Sequence, residues 1–168
     1  MTKFAPCYNH LTITAPDELL SKKIFNSFLA GRMLSSFFPA PDAVLELLTT
    51  EYPAYCSALS QLWGTVHDIG GDPSSITVND NNTLVIQFES SFTPPRAWYE
   101  KMHQNGFIIE AYFDQPQANF FGVCIGNDQG YQIDYYDEEN SFGDERMELF
   151  PEAVLKYFQT KTNHAACA

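Results

Sequence analysis

Basic residues are scarce in this chain: 9 Lys and Arg stand against 21 Asp and Glu in 168 residues, a formal net charge of -12. Direct nucleic-acid binding needs clustered Lys and Arg to displace condensed counterions, so that class of partner is not expected. Long apolar runs are missing as well. The longest apolar stretches, such as residues 84–88, which include Gln87, and 120–125, are strand-sized and far short of the roughly 20 residues that cross a bilayer. At the N-terminus, polar Tyr8, Asn9 and His10 interrupt the chain before the apolar core of a secretory signal forms, which makes the cytoplasm the expected location.

Paired metal-ligand spacings are absent too. Cys7, Cys56, Cys124 and Cys167 contain no C-x-x-C, and His10, His67, His103 and His164 are isolated, so neither a structural zinc nor any cofactor is expected and the cysteines read as thiols. There is no G-x-S-x-G elbow, no G-x-x-x-x-G-K-[ST] loop and no H-E-x-x-H helix. The acidic stretch from Asp137 invites comparison with a calcium loop. However, Phe142 stands where its sixth position needs glycine, which rejects an EF-hand.

What is present suffices for one domain, since 45% hydrophobic residues in this length supply a single substantial core. Residues 7–14 alternate Cys7, Asn9, Leu11 and Ile13 against Tyr8, His10, Thr12 and Thr14, the period of a strand. Pro16, Asp17 and Glu18 open a helix carrying Leu20, Ile24 and Phe28, with Pro16 at the first helical position and an end near Gly31. Residues 33–71 read as an insertion with short helices at 41–48 and 54–63. Beyond the break at 70–73, strands at 75–78 and 83–89 form a hairpin across a polar tip. Thr93-Pro94-Pro95 reads as the cap and first turn of a helix over 94–105. Strands over 107–113, 119–125 and 131–136 follow, then a helix opened by Pro151, with a disordered tail expected over 162–168.

The order is β-α-(helical insertion)-β-β-α-β-β-β-α. Its first six regular elements, insertion aside, match the split β-α-β pattern of a ferredoxin-like α+β domain spanning residues 1–161. Two C-terminal strands should extend the antiparallel sheet, with helices mostly on one face.

Cys7-Tyr8-Asn9-His10-Leu11-Thr12-Ile13, Trp63-Gly64-Thr65 with Asp68, Thr93-Pro94-Pro95-Arg96-Ala97-Trp98, and Tyr112-Phe113 followed by Asn119-Phe120-Phe121-Gly122 together resemble the YubB ferredoxin-like family. The likeness spans most of residues 7–125 and departs from the family pattern at Val66 and His67 and at Phe92-Thr93 before the double proline. The resemblance implies the fold and a setting on bacterial plasmids, prophages and related mobile elements. It implies no reaction.

Two regions are candidate sites. Asn9, Trp63, Thr65, His67 and Asp68 fall within the family-like motifs and suggest a cleft for a small molecule or for acid–base chemistry by His67 and Asp68. The second region is acidic. Nine carboxylates lie between Asp128 and Glu152 with Arg146 as the one base. If Phe107, Ile109, Ala111 and Phe113 face the core, Glu110, Tyr112 and Asp114 face away, as do Gln87 and Glu89 and, on the last strand, Gln132, Asp134 and Tyr136. A surface of Glu110, Tyr112, Asp134, Tyr136, Asp137, Glu138, Glu139, Asp144 and Glu145 suits a Lys- and Arg-rich partner. The leading expectation is thus a non-enzymatic accessory protein of a mobile element. It would engage a basic host or element-encoded protein, as a charge mimic or inhibitor, without nucleic acid or membrane. The alternative is an enzymatic or ligand-binding domain built on the Asn9, Trp63 and Asp68 cleft.

Overall fold

The alternation of residues 7–14 builds the strand it predicts. In the computed structural model, which describes residues 5–79, 82–137 and 145–166, strand β1 (Pro6–Thr14) buries Cys7, Asn9, Leu11 and Ile13 completely. It pairs antiparallel with β3 (Thr83–Ser91) on one side and β4 (Ile108–Gln115) on the other. Strands β2 (Ile76–Val78), β5 (Phe120–Asn127) and β6 (Gly130–Tyr136) complete a six-stranded antiparallel sheet of order β2-β3-β1-β4-β5-β6. Six α-helices accompany it among the described residues, giving a mixed α+β architecture.

Helix α1 (Glu18–Leu29) starts two residues later than Pro16 suggests. Asp17 is extended and its carboxylate accepts the Leu20 N–H at 2.8 Å, so a side-chain cap fixes the start. Helices α2 (Asp42–Thr50) and α3 (Tyr52–Trp63) occupy the insertion. Helix α4 (Arg96–Gln104) begins after the double proline. Thr93 does not cap it, because the Thr93 hydroxyl donates instead to the Gly64 carbonyl. That contact is allowed by Gly64 itself, which ends α3 at φ +92° and whose missing Cβ leaves room for the backbone of Pro94 and Arg96.

Ile24, Phe28, Leu59, Trp63, Trp98 and Met102 bring α1, α3 and α4 onto one sheet face, against Leu11, Ile13, Ile86, Ala111 and Phe113. Most helices thus lie on one side, as expected, but the opposite face is covered too. Helices α5 (Glu145–Leu149) and α6 (Glu152–Ala166) close over it, and Phe150, Val154 and Phe158 pack on Tyr8 and Phe121. Helix α6 also runs past Lys161 to Ala166, so the tail expected from residue 162 onward is helical as far as the described residues reach.

The junction between α1 and the end of the insertion turns on Gly70. Its φ is +130°, and a Cβ there would overlap the Phe28 carbonyl, which accepts N–H groups from Gly31 and Gly71. Gly70→Ala is expected to lose about 1–3 kcal/mol through backbone strain alone. Thermal denaturation checks this, and an unchanged melting temperature would contradict it.

Candidate functional site

The residues expected to share a cleft are divided by the fold. Asn9 is fully buried in mid-sheet; its amide donates to the Cys7 carbonyl and the Ser90 hydroxyl, both at 2.9 Å, and its oxygen accepts from the Tyr99 hydroxyl at 3.3 Å. Thr65 is also fully buried and trades hydrogen bonds with the Ser91 backbone. Both side chains are fully buried and satisfy buried polar groups.

Trp63, His67 and Asp68 do share a groove of about 340 Å³, walled also by Ser35, Leu45 and Tyr55. Trp63 is 4% exposed and its indole N–H donates to the Phe38 carbonyl at 2.8 Å, which makes it a wall of the core that shows an edge to the groove. The Asp68 carboxylate accepts three backbone N–H groups, from Leu34 at 2.7 Å, Ile69 at 2.9 Å and Ser35 at 3.2 Å. Asp68 thereby anchors the turn after α1. Acid–base work would require those bonds to break.

His67 has a partner that the sequence did not signal. Its Nδ1 lies 2.7 Å from the Ser91 hydroxyl, 24 residues away in the chain. A serine–histidine contact becomes a catalytic pair only beside donors for a developing oxyanion. Two backbone donors beside Ser91 Oγ in the chain are occupied: the Ser91 N–H bonds Thr65 Oγ1, and the Phe92 N–H bonds the Ala5 carbonyl. The pair ties the insertion to the end of β3.

The acidic face is smaller and differently built than its sequence suggests. Glu110 and Asp134 are exposed on adjoining rows of the outer sheet face, as expected. Tyr112 and Tyr136 are half-buried: Phe150 stands edge-on to Tyr112, and Tyr136 stacks on Phe121 with ring centroids 5.2 Å apart. Burial, followed by contact with Glu110, pushes the Tyr112 hydroxyl up to about 12. These tyrosines serve the second core more than the surface. Asp137 and Glu145 are half-exposed, whereas Glu138, Glu139 and Asp144 lie outside the described residues. Gln87 and Glu89 face outward, Glu89 3.8 Å from Lys161.

Asp114 points to the same face yet is buried. Its carboxylate receives Arg146 through Nε at 3.2 and 3.3 Å and Nη2 at 3.1 Å, while Nη1 donates to Asn119 at 2.9 Å. The guanidinium lies 4.0 Å over the Phe121 ring. Desolvation raises the Asp114 pKa above the usual carboxylate range, outweighing the lowering by Arg146. The consequence for the surface is direct: the one base of residues 128–152 is turned inward and neutralised there. No sequence signal marked this clamp beyond the solitude of Arg146.

Beside the clamp lies a cavity of about 560 Å³ between the β4–β5 end of the sheet and α6, lined by Asn119, Met147, Leu155 and Gln159 among others. Its charged floor is internally balanced, so it offers no net charge to a ligand. Among the described residues no cluster of His, Cys, Asp and Glu could hold a metal ion, and no helix is long and apolar enough to cross a membrane. Cys7 and Cys124 are fully buried, and burial raises both thiols. Comparison with family models, with curated proteins and with solved structures finds no match in any of the three.

Proposed function

We propose that this protein is a non-enzymatic binding module that captures a basic protein on its acidic outer face, in the manner of a charge mimic or inhibitor. The observation that carries this reading is the inward turn of Arg146. Of ten charged residues between Asp128 and Glu152, the single base is withdrawn into the Asp114 clamp, so it does not offset the exposed carboxylates Asp128, Asp134, Glu148 and Glu152, which contribute a field of one sign. Such a field steers a cationic partner and repels phosphates.

The finer fold and its setting belong to the same proposal. A β3 that pairs between β1 and β2, with β4 on the far side of β1, supports a ferredoxin-like core extended by β5 and β6. The motif likeness to the YubB family supports a mobile-element origin.

The test is capture from a bacterial lysate by the tagged protein, repeated with Asp134→Asn, Asp137→Asn, Glu138→Gln, Glu139→Gln, Asp144→Asn and Glu145→Gln combined. A basic protein retained by the native chain, released by salt and retained at least about tenfold less by the variant is the expected outcome. If every captured protein binds the neutralised variant equally, the reading fails.

A further inference from the structure

Sheet edges are commonly guarded, because a row of unpaired N–H and C=O groups is a template for another chain. The two edges of this sheet are treated differently. At one end β2 is only 3 residues long and follows a turn opened by Pro73. At the other end β6 runs for 7 residues, pairs with β5 without a bulge from Phe121↔Tyr136 to Asn127↔Gly130, and contains neither Pro nor Lys. Among the described residues β5 is its only strand neighbour.

The strand is also held in place from within. His103 stacks on Tyr131 with centroids 5.8 Å apart, and Arg96 lies over Tyr135 at 5.9 Å, both from α4. Ile133 and Tyr135 remain 38% and 43% exposed on the core-facing side, and Gln132 and Asp134 are exposed on the other. Charge decides what such an edge accepts. Asp134 sits within the strand and Asp128 and Asp137 flank it, so a second copy laid against β6 would bring carboxylates to carboxylates on a chain of net charge -12. An extended segment bearing Lys or Arg gains backbone hydrogen bonds and opposite charge together.

We infer that β6 is an acceptor edge for an extended basic segment of the partner, which adds to the sheet as a seventh strand. Its alternate apolar side chains lie against Ile133 and Tyr135, and its basic ones on the Asp134 side. The inference rests on the acidic-face reading and specifies how the partner docks.

The probe is an acetylated, amidated peptide, Thr-Lys-Val-Arg-Val-Lys-Thr, added to the whole protein. Two control peptides accompany it: one N-methylated along both edges, which keeps every charge, and one with Gln in place of Lys and Arg. The parent peptide is expected to bind and to slow hydrogen exchange at alternate β6 amides. Both controls are expected to bind at least about tenfold more weakly, the methylated one because each missing backbone bond is a loss of roughly that size. Equal binding by the N-methylated peptide overturns edge addition and leaves the acidic face standing. No binding by the parent, with salt-sensitive capture of a basic protein from lysate intact, does the same. Equal binding by the Gln peptide removes the charge argument and counts against both readings. Exchange at β6 that slows with protein concentration alone would make a second copy the occupant and overturn the inference.

Discussion

Arg146→Met is expected to lower the unfolding free energy at pH 7.5 by about 3–5 kcal/mol, the cost of leaving a buried carboxylate without its partner. The two ends of the clamp are not equivalent. The Asp114 side chain is 6% exposed on a central strand, whereas Arg146 is 22% exposed on the short α5. Asp114 is fixed in the sheet with little exposure at the floor of the cavity, but Arg146 can swing outward. Asp114→Asn should therefore cost less, about 1.5–3 kcal/mol for the charge-assisted hydrogen bonds. The pH dependence separates these causes. Burial already holds the Asp114 pKa above its unfolded value, and Arg146 is what restrains it. Without Arg146 that pKa rises further, so the native state takes up a proton at a pH where the unfolded chain does not. The deficit of Arg146→Met is then fully present above the variant's folded pKa and shrinks as pH falls through it to the wild-type folded value, below which both chains gain stability alike. Urea denaturation at a series of pH values reads this directly. A deficit that nowhere shrinks as pH falls, or that grows, would show that Asp114 carries no strained charge.

The fold was legible where one face of an element is dry and the other wet. Residues 7–14 and 107–113 alternate cleanly, and the structure makes them the adjoining central strands β1 and β4. Boundaries were less legible because more than one residue could serve as a start. Pro16, Asp17 and Glu18 all suit a helix N-terminus, and the Asp17 carboxylate selects one register. Thr93 has the chemistry of a cap but lies within reach of the Gly64 carbonyl, a tertiary partner that no local pattern reveals.

The side of the sheet taken by α6 was the larger omission. Val154, Leu155 and Phe158 announce an apolar stripe, but a stripe does not say which face it seeks. The pointer lay in β5, where Phe121 and Val123 are buried on one face and Cys124 on the other. A strand apolar on both sides is one buried on both sides. The same omission distorted the candidate surface, since Tyr112, Asp114 and Tyr136 alternate outward as expected and are then covered in whole or part. Asn9 failed as a site residue for a related reason. Its polar side chain sits in a buried row, where its hydrogen bonds with Ser90 and Tyr99 reconcile it with the core.

Phe158→Ala tests how firmly that second layer is joined to the first. The ring is 1% exposed and meets Phe150 at 5.0 Å between centroids. Truncating such a ring costs about 3–5 kcal/mol when the site cannot collapse. If the outer layer folds together with the main core, the midpoint of chemical denaturation falls accordingly, and near-ultraviolet and far-ultraviolet signals change together. The neighbouring Tyr157 ring lies 6.0 Å from His10, whose pKa burial lowers. A histidine kept neutral by burial stabilises the native chain above its unfolded pKa of about 6.5, and that contribution is lost as pH falls through the folded value. Loosening α6 returns His10 to water. In Phe158→Ala the His10 titration, followed by its imidazole NMR signals, should therefore move up toward 6.5, and the part of the acid sensitivity due to His10 should diminish. A loss of stability with the His10 titration unmoved would mean that α6 still covers β1 without the Phe158 ring.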